Sequence, residues 1–367
     1  MVDISGDSAD WADIVERLGG AMSLRSSARE HGAFVRARGV RDATDLLRLC
    51  LMYGPGGLSL RMLAATAAQA GIADVSDVAI LNRIRGAADW LEALCGEQFG
   101  RVRRIAGATA AAPGPGGTRA VRIVDSSLID APGGVKWRLH ACFDPVGKRL
   151  TAAVFTPATA GERLDLLATD PSDIVLADRG YPQPDGLRNT IDKHADPLVR
   201  VTWNSVMLTD AAANPLDWMA LCQQATAQGG LDMAVRLRKP RGRFEPVAMR
   251  LIFIPKSAGA AEHAVEKAWL KNRAGSRTRI DPRTIACAHH LVLLTTLPVD
   301  ACSPAQAGGL YRMRWQVEMA FKRMKSLMKM DRLPALDPDL ARAWLNAHLL
   351  CALLTEDIVN QDDDFFP

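Results

Sequence analysis

Asp125 and Asp178 each close a short apolar run, Ala120–Val124 (with Arg122 inside it) and Ile174–Ala177. Apolar runs of this length read as strands. In open α/β sheets, ligands gather beyond the carboxyl ends of strands. A carboxylate leaving the sheet there can hold a hard cation, and magnesium takes a few carboxylates while keeping positions open for water and phosphate. Two such ions, about 3.5–4 Å apart, can activate an attacking oxygen and stabilise a leaving one in phosphodiester chemistry. A lone Asp at a strand end is more often a turn or cap residue. The chemistry therefore needs a further acid from a different element.

Glu318 is a candidate for that acid. Residues from Leu310 to about Leu327 have helical spacing. At about 100° per residue, Tyr311, Arg314, Glu318 and Lys325 fall within about 60° of one another. Met313, Val317, Ala320, Phe321 and Met324 form an adjoining apolar face that would pack on a core. One acid thus stands between aromatic and basic groups. The plainer alternative is a surface Arg314–Glu318 pair at i,i+4, worth about 0.2–0.5 kcal/mol.

The surrounding elements must bring these residues together. The first hundred residues read as helical. Asp42 or Thr44, Ser59 and Ser76 stand as N-caps, and Gly54-Pro55-Gly56-Gly57 and Gly71 as stops. A helix-turn-helix presenting Asn82, Arg83 and Arg85 to DNA is one reading, and a plain helical bundle is the other. Ala110–Thr118, almost all Ala, Pro and Gly, is a linker without the GxxxxGK[ST] of a phosphate loop. Val135–Phe143 and Arg149–Phe155 flank the turn Asp144-Pro145-Val146-Gly147-Lys148 as a hairpin. Leu164–Ala168 reads as helical. Val199–Trp203, Met233–Leu237, Val247–Ile254 and Leu291–Leu294 are strands in a β-rich segment. A last helix covers about Pro338–Val359. Strands followed by a strand–helix unit indicate an α/β core with a mixed sheet. The expected division is a helical region over 1–108, a core over 119–198, a β-rich insertion over 199–300 and core helices over 301–367.

Composition narrows the class. The chain has 367 residues, enough for more than one core, and its net charge of +4 allows an acidic partner. Basic residues concentrate at 236–243 and 271–283, while Asp362–Asp364 make the end acidic. Seven cysteines without a CxxC pair argue against a disulfide framework and a thiolate zinc site. The polar start carries no signal peptide, and the apolar stretch Trp344–Leu354 is too short to span a bilayer. The expectation is a cytoplasmic, reduced protein.

At this point the residues match a known pattern. Tyr311, Arg314, Glu318 and Lys325 fit the Tyr-x2-Arg-x3-Glu-x6-Lys signature at every spacing, so the segment resembles the bacterial insertion-sequence transposases of the IS-four group. Arg122-Ile123-Val124-Asp125-Ser126-Ser127 resembles that group's first catalytic strand. Trp137-Arg138-Leu139-His140 with Asp144 resembles the following hairpin, and Ala177-Asp178-Arg179-Gly180-Tyr181 the second-aspartate block. The acids lie 53 and 140 residues apart, which leaves room for an insertion before the glutamate.

The resemblance implies an RNase H-like α/β core, with a mixed sheet interrupted by a β-rich insertion and preceded by an N-terminal helical domain. It implies that Asp125, Asp178 and Glu318 are catalytic and bind two divalent metal ions, Mg2+ or Mn2+. It implies that Tyr311, Arg314 and Lys325 hold the DNA backbone, and that the basic insertion, with Arg238, Lys239 and Arg241, grips the transposon end. The implied partners are double-stranded transposon ends and target DNA, bound by a homodimer at the bacterial nucleoid. One departure concerns DNA hairpin formation: the strand Leu291–Pro298 has no tryptophan where a relative stacks one on a flipped base, and Leu291 or His290 stands there. Trp203, Trp218, Trp269 and Trp315 read as packing residues. The alternatives are an RNase H-like nuclease without strand transfer, and a transposase remnant or truncated protein that binds DNA without transposing.

Overall fold

The computed structural model describes residues 9–110, 119–239, 245–274 and 279–363. Helices α1 (Ala9–Arg17), α2 (Gly20–Glu30), α3 (Ala43–Tyr53), α4 (Leu60–Gln69), α5 (Asp77–Arg85) and α6 (Ala88–Ala110) come first. The caps fall where the sequence placed them: Asp42, Ser59 and Ser76 accept from the backbone N–H groups of Asp45, Met62 and Ala79. Each satisfies one of the amides that a helix start leaves unpaired. After Ser76 the chain forms two helices, separated at Gly86.

Strands follow: β1 (Val121–Asp130), β2 (Lys136–Asp144), β3 (Arg149–Pro157) and β4 (Ile174–Ala177). The predicted hairpin forms between β2 and β3, with Asp144 paired to Arg149 and its carboxylate accepting from the Val146 amide. Lys148 takes the left-handed turn conformation at φ 50°. The Leu164–Ala168 stretch holds only a single 3₁₀ turn, Leu164–Leu166.

After α7 (Pro184–Asp192), β5 (Asp196–Arg200) and β6 (Met207–Thr209) come α8 (Trp218–Gln228), β7 (Leu231–Arg238) and β8 (Val247–Pro255). Then come α9 (Ala258–Ala274), α10 (Pro282–Ala288) and β9 (His290–Thr295). The segment expected to be β-rich therefore also carries three helices among its described residues. Its strands extend the core sheet: among the described residues, nine strands run in the order β3-β2-β1-β4-β5-β9-β8-β7-β6. The pairs β1–β4 and β4–β5 are parallel and the rest antiparallel, so the sheet is mixed.

Alternate residues of each strand enter opposite cores. Ile123, Leu176, Leu198 and Leu293 join helices from both ends of the chain in one core, while Val124, Val175, Val199 and Leu294 join residues of α8 and α10 in the other. The sheet is buried on both faces between helical layers.

The last helices are α11 (Pro304–Arg312), α12 (Trp315–Ser326) and α13 (Pro338–Asp363). The helix expected to run on from Leu310 is two helices. At the break, Met313, Arg314, Gln316 and Val317 donate to carbonyls three residues back, a tightened 3₁₀-like turn. Helix α13 packs along α6 and reaches β3. No helix among the described residues is long and apolar enough to cross a membrane.

Candidate active site

The parallel pairing of β1 with β4 decides where the two aspartates lie. Val124 is in register with Ala177, so Asp125 and Asp178 are the next residues on neighbouring strands, about 4.7–4.9 Å apart in the sheet. Only Asp178 stands at a strand end. Asp125 lies inside β1, which runs on to Asp130 because it keeps its antiparallel partner β2, with Asp125 opposite Ala141. The apolar run stops at Asp125 because one core stops there.

Helix α12 supplies the third acid. Val317, Phe321 and Met324 are buried in the first core, which seats the helix beside β1 and leaves Glu318 on the cleft with Asp125 and Asp178. Asp125, Asp178, Glu318, Arg314, Lys322 and Lys325 line one open cleft of about 690 Å³. Five of the predicted site residues, Arg314 among them, therefore share this cleft, although about two hundred residues separate Asp125 from Lys325.

The break before α12 aims the basic and aromatic partners. Arg314 Nη1 donates to Asp125 at 2.9 Å, and Nη2 donates to Glu318 at 2.6 Å. The guanidinium is 17% exposed and the Asp125 side chain 16%. Tyr311 Oη donates to Asp178 at 2.9 Å, and Arg200 of β5 stands 3.7 Å from the same carboxylate. The surface i,i+4 pair considered from the sequence exists, but the same guanidinium also reaches Asp125 of β1, inside the sheet.

Charge shapes the acids differently. Burial pushes Asp125 up to about 6, and the nearby carboxylates of Asp178 and Glu162 add to the rise against the Ser126 amide and Arg314. Burial also acts on Asp178, but the Arg179 amide, Arg200, Arg314 and the Tyr311 hydroxyl outweigh it and hold this acid below the usual range. Burial and the Asp178 charge push the Tyr311 hydroxyl up, so at neutral pH it remains a donor.

The donor set suits a hard divalent cation. The cleft offers carboxylate oxygens and hydroxyls, and among the described residues no thiolate or imidazole lines it. Burial raises Asp125, with the nearby Asp178 and Glu162 charges adding to it, and a bound cation would favour the ionised form against both. Among the described residues, no three His, Cys, Asp or Glu side chains already converge as a ligand set, because Arg314 stands between Asp125 and Glu318.

The other predicted contacts lie elsewhere. Arg238 is exposed at the end of β7, and Lys239 is ion-paired with Asp185 at 2.6 Å. Arg241 lies outside the described residues. In the N-terminal region Asn82 is exposed, but Arg83 donates to the carbonyls of Arg36 and Arg38, and Arg85 pairs with Asp337 at 2.8 Å. Trp218 is buried, and Trp203 stacks under Arg283 at 3.7 Å. Trp315 at 58% exposure and Trp269 at 41% are not packed as expected, since each lies on a helix face turned from the core. His290 is buried against Phe253.

Sequence reasoning passed over Arg200 and Glu162. Glu162 accepts from Ser126 Oγ at 2.9 Å and from Arg138 at 3.0 Å, immediately behind Asp125. A lone Glu in irregular chain carries no pattern that would have marked it.

Comparison with known proteins shows the family. The family described as "Transposase DDE domain" matches residues 116–354. "Putative transposase InsL for insertion sequence element IS186A" of Escherichia coli K12 is 37% identical over 363 residues, 98% of this chain and 96% of that protein. "Transposase for insertion sequence element IS421" of Escherichia coli is 37% identical over 364 residues, with the same coverage of both chains.

Proposed function

The chain belongs to the transposase DDE domain family, and from that premise we propose that Asp125, Asp178 and Glu318 are the catalytic acids of its DNA transposition reaction. The protein is an insertion-sequence transposase and uses divalent metal, as its family does. The observation that carries the assignment is the meeting of three acids from β1, the end of β4 and α12 in one cleft.

The three carboxylates would hold two ions, Mg2+ or Mn2+, which when bound polarise the attacking and leaving oxygens of a phosphodiester. Water attacks phosphorus at the element's end, the P–O3′ bond breaks and a 3′-OH is freed. That 3′-OH then attacks a target phosphodiester in the same cleft, forming one P–O bond as another breaks. Tyr311 orients Asp178 through its hydroxyl. Arg314, Lys322 and Lys325 position the DNA backbone, contacts that fix the duplex without reading its sequence. Positioning and fixed charge supply most of the rate.

The mixed sheet is read as an RNase H-like core, with residues 199–300 as its insertion and 1–108 as a helical DNA-binding region. Arg238, exposed on β7, lies on the insertion surface offered to the transposon end, joined by Lys239 once phosphate replaces Asp185. Two protomers bring two ends together on DNA at the nucleoid.

Strand transfer with pre-cleaved end DNA and Mg2+ tests the proposal. Joined product that disappears in Asp178→Asn supports it. Cleavage without joining assigns the protein to the nucleases, and binding without either assigns it to inactive remnants.

A further inference from the structure

The cleft takes in the Asp125 face of β1, and a second polar cluster adjoins it through Ser126, which borders the cleft and turns to the other face of the strand. Ser126 alternates with Asp125, so its side chain shares the face of Val124 and the second core. There Glu162 accepts from Ser126 Oγ at 2.9 Å and from Arg138 Nη1 at 3.0 Å, while Arg138 also donates to Ser126 at 2.7 Å. The Gln183 amide donates to the Glu162 carbonyl at 2.7 Å, which ties this irregular segment to the chain leaving β4. Tyr181 and His140, both fully buried, close the cluster from below.

Gly180 shows how tightly Glu162 is seated. Its φ is not positive, so glycine is not there for backbone freedom. Space is the reason: a Cβ built on Gly180 would lie 1.4 Å from Glu162 Oε2 and 2.6 Å from its Cδ. The carboxylate thus fills the place of a side chain two residues after Asp178 and is hydrogen-bonded to the residue after Asp125. One side chain spans the two chain segments that carry the neighbouring aspartates.

We propose that Glu162 is a positioning residue for the metal-binding acids, with Arg138 as its counter-charge and Gly180 as its seat. It locks the Asp178–Tyr181 turn against β1 from behind and sets the separation of Asp125 from Asp178. Glu162 touches neither substrate nor metal in this role. The inference rests on the assignment of the two aspartates as metal ligands.

The test is Mn2+ titration of the full chain, with free Mn2+ followed by electron paramagnetic resonance and thermal unfolding run alongside. Glu162→Ala is expected to weaken Mn2+ binding about 10- to 100-fold, the usual cost of removing a group that holds a ligand in place. Glu162→Gln, which keeps the acceptor for Ser126, recovers part of that loss. Gly180→Ala weakens binding in the wild-type background and adds nothing in the Glu162→Ala background, because its only clash is with Glu162. Wild-type affinity in Glu162→Ala overturns the proposal. So do additive losses in the double variant, or equal losses in the Ala and Gln variants that track unfolding temperature. Asp178→Asn separates the two levels: if it binds Mn2+ like wild type, the assignment of the aspartates fails. If it loses Mn2+ while Glu162→Ala does not, only the role of Glu162 fails.

Discussion

Arg314 donates to Asp125 at 2.9 Å across 189 residues of sequence, and the other end of the same guanidinium holds Glu318 at 2.6 Å. The cation that would position DNA is therefore spent, in the DNA-free protein, on two of the three acids. A backbone phosphate drawing Arg314 away leaves Asp125 and Glu318 free for metal. Metal binding and DNA binding are then linked through one side chain. Arg314→Gln is expected to raise Mn2+ affinity without DNA about tenfold, within the range of a charge-assisted hydrogen bond. It is also expected to weaken binding of end DNA. Calorimetric titration with Mn2+ reads this directly, and an unchanged or weaker affinity would reject the linkage.

Glu318 has a different balance. Its side chain is 55% exposed, so replacing it disturbs little packing. Glu318→Gln is expected to bind end DNA like wild type and to lose cleavage by at least about 10²–10³-fold, the scale of removing one electrostatic contact at a reacting centre. A gel assay of cleavage beside a mobility-shift assay measures both. Cleavage at the wild-type rate would take Glu318 out of the mechanism.

The sequence carried the acids because each had a local mark. Asp178 ends an apolar run, and Glu318 sits in a fixed spacing with Tyr311, Arg314 and Lys325. The caps at Asp42, Ser59 and Ser76 were legible for the same reason, since a cap is a contact within four residues. The break between α11 and α12 was not, because neither Gly nor Pro marks Met313-Arg314 and the apolar spacing runs through it. Its cause is tertiary: Tyr311 and Arg314 are each satisfied by an aspartate from the sheet. The joining of β9 to β5 is a pairing of residues about a hundred apart, and no local pattern announces it. Glu162 stayed hidden because what it does depends on the absence of a side chain at Gly180.

Glu356 links the last helix to the hairpin and gives the fold a pH dependence. Its carboxylate accepts from the Leu150 amide at 3.0 Å, and burial pushes it up to about 7 against the pull of that amide, Arg149 and Arg323. The unfolded chain releases this proton near 4.5. Between those values the native state binds more protons, so this group's contribution to stability falls as pH rises through the window and stays low above it. Glu356→Gln keeps an oxygen for the Leu150 amide and carries no charge. It is expected to be more stable than wild type at pH 8, by about 1–2 kcal/mol after discounting the part of the side chain that water reaches. The gap should shrink towards pH 5. Urea unfolding at the two values measures it, and a gap that is constant or wider at pH 5 would reject the account.

Lys325 lines the cleft one turn past Phe321 and Lys322. It is half-buried, and Asp130 lies near enough to feel its charge. A phosphate reaching the three acids from solvent passes this ammonium, whose role as a point charge is to neutralise the backbone and displace counterions. Lys325→Ala should therefore weaken binding to end DNA and to unrelated duplex by a similar factor. It should also lower the slope of log K against log salt by about one. Removing a base-reading residue would instead weaken end DNA selectively and leave the slope in place. Fluorescence anisotropy at several salt concentrations, with both duplexes, separates the two. An unchanged slope would place Lys325 off the DNA path and leave Lys322 as the cation on that wall of the cleft.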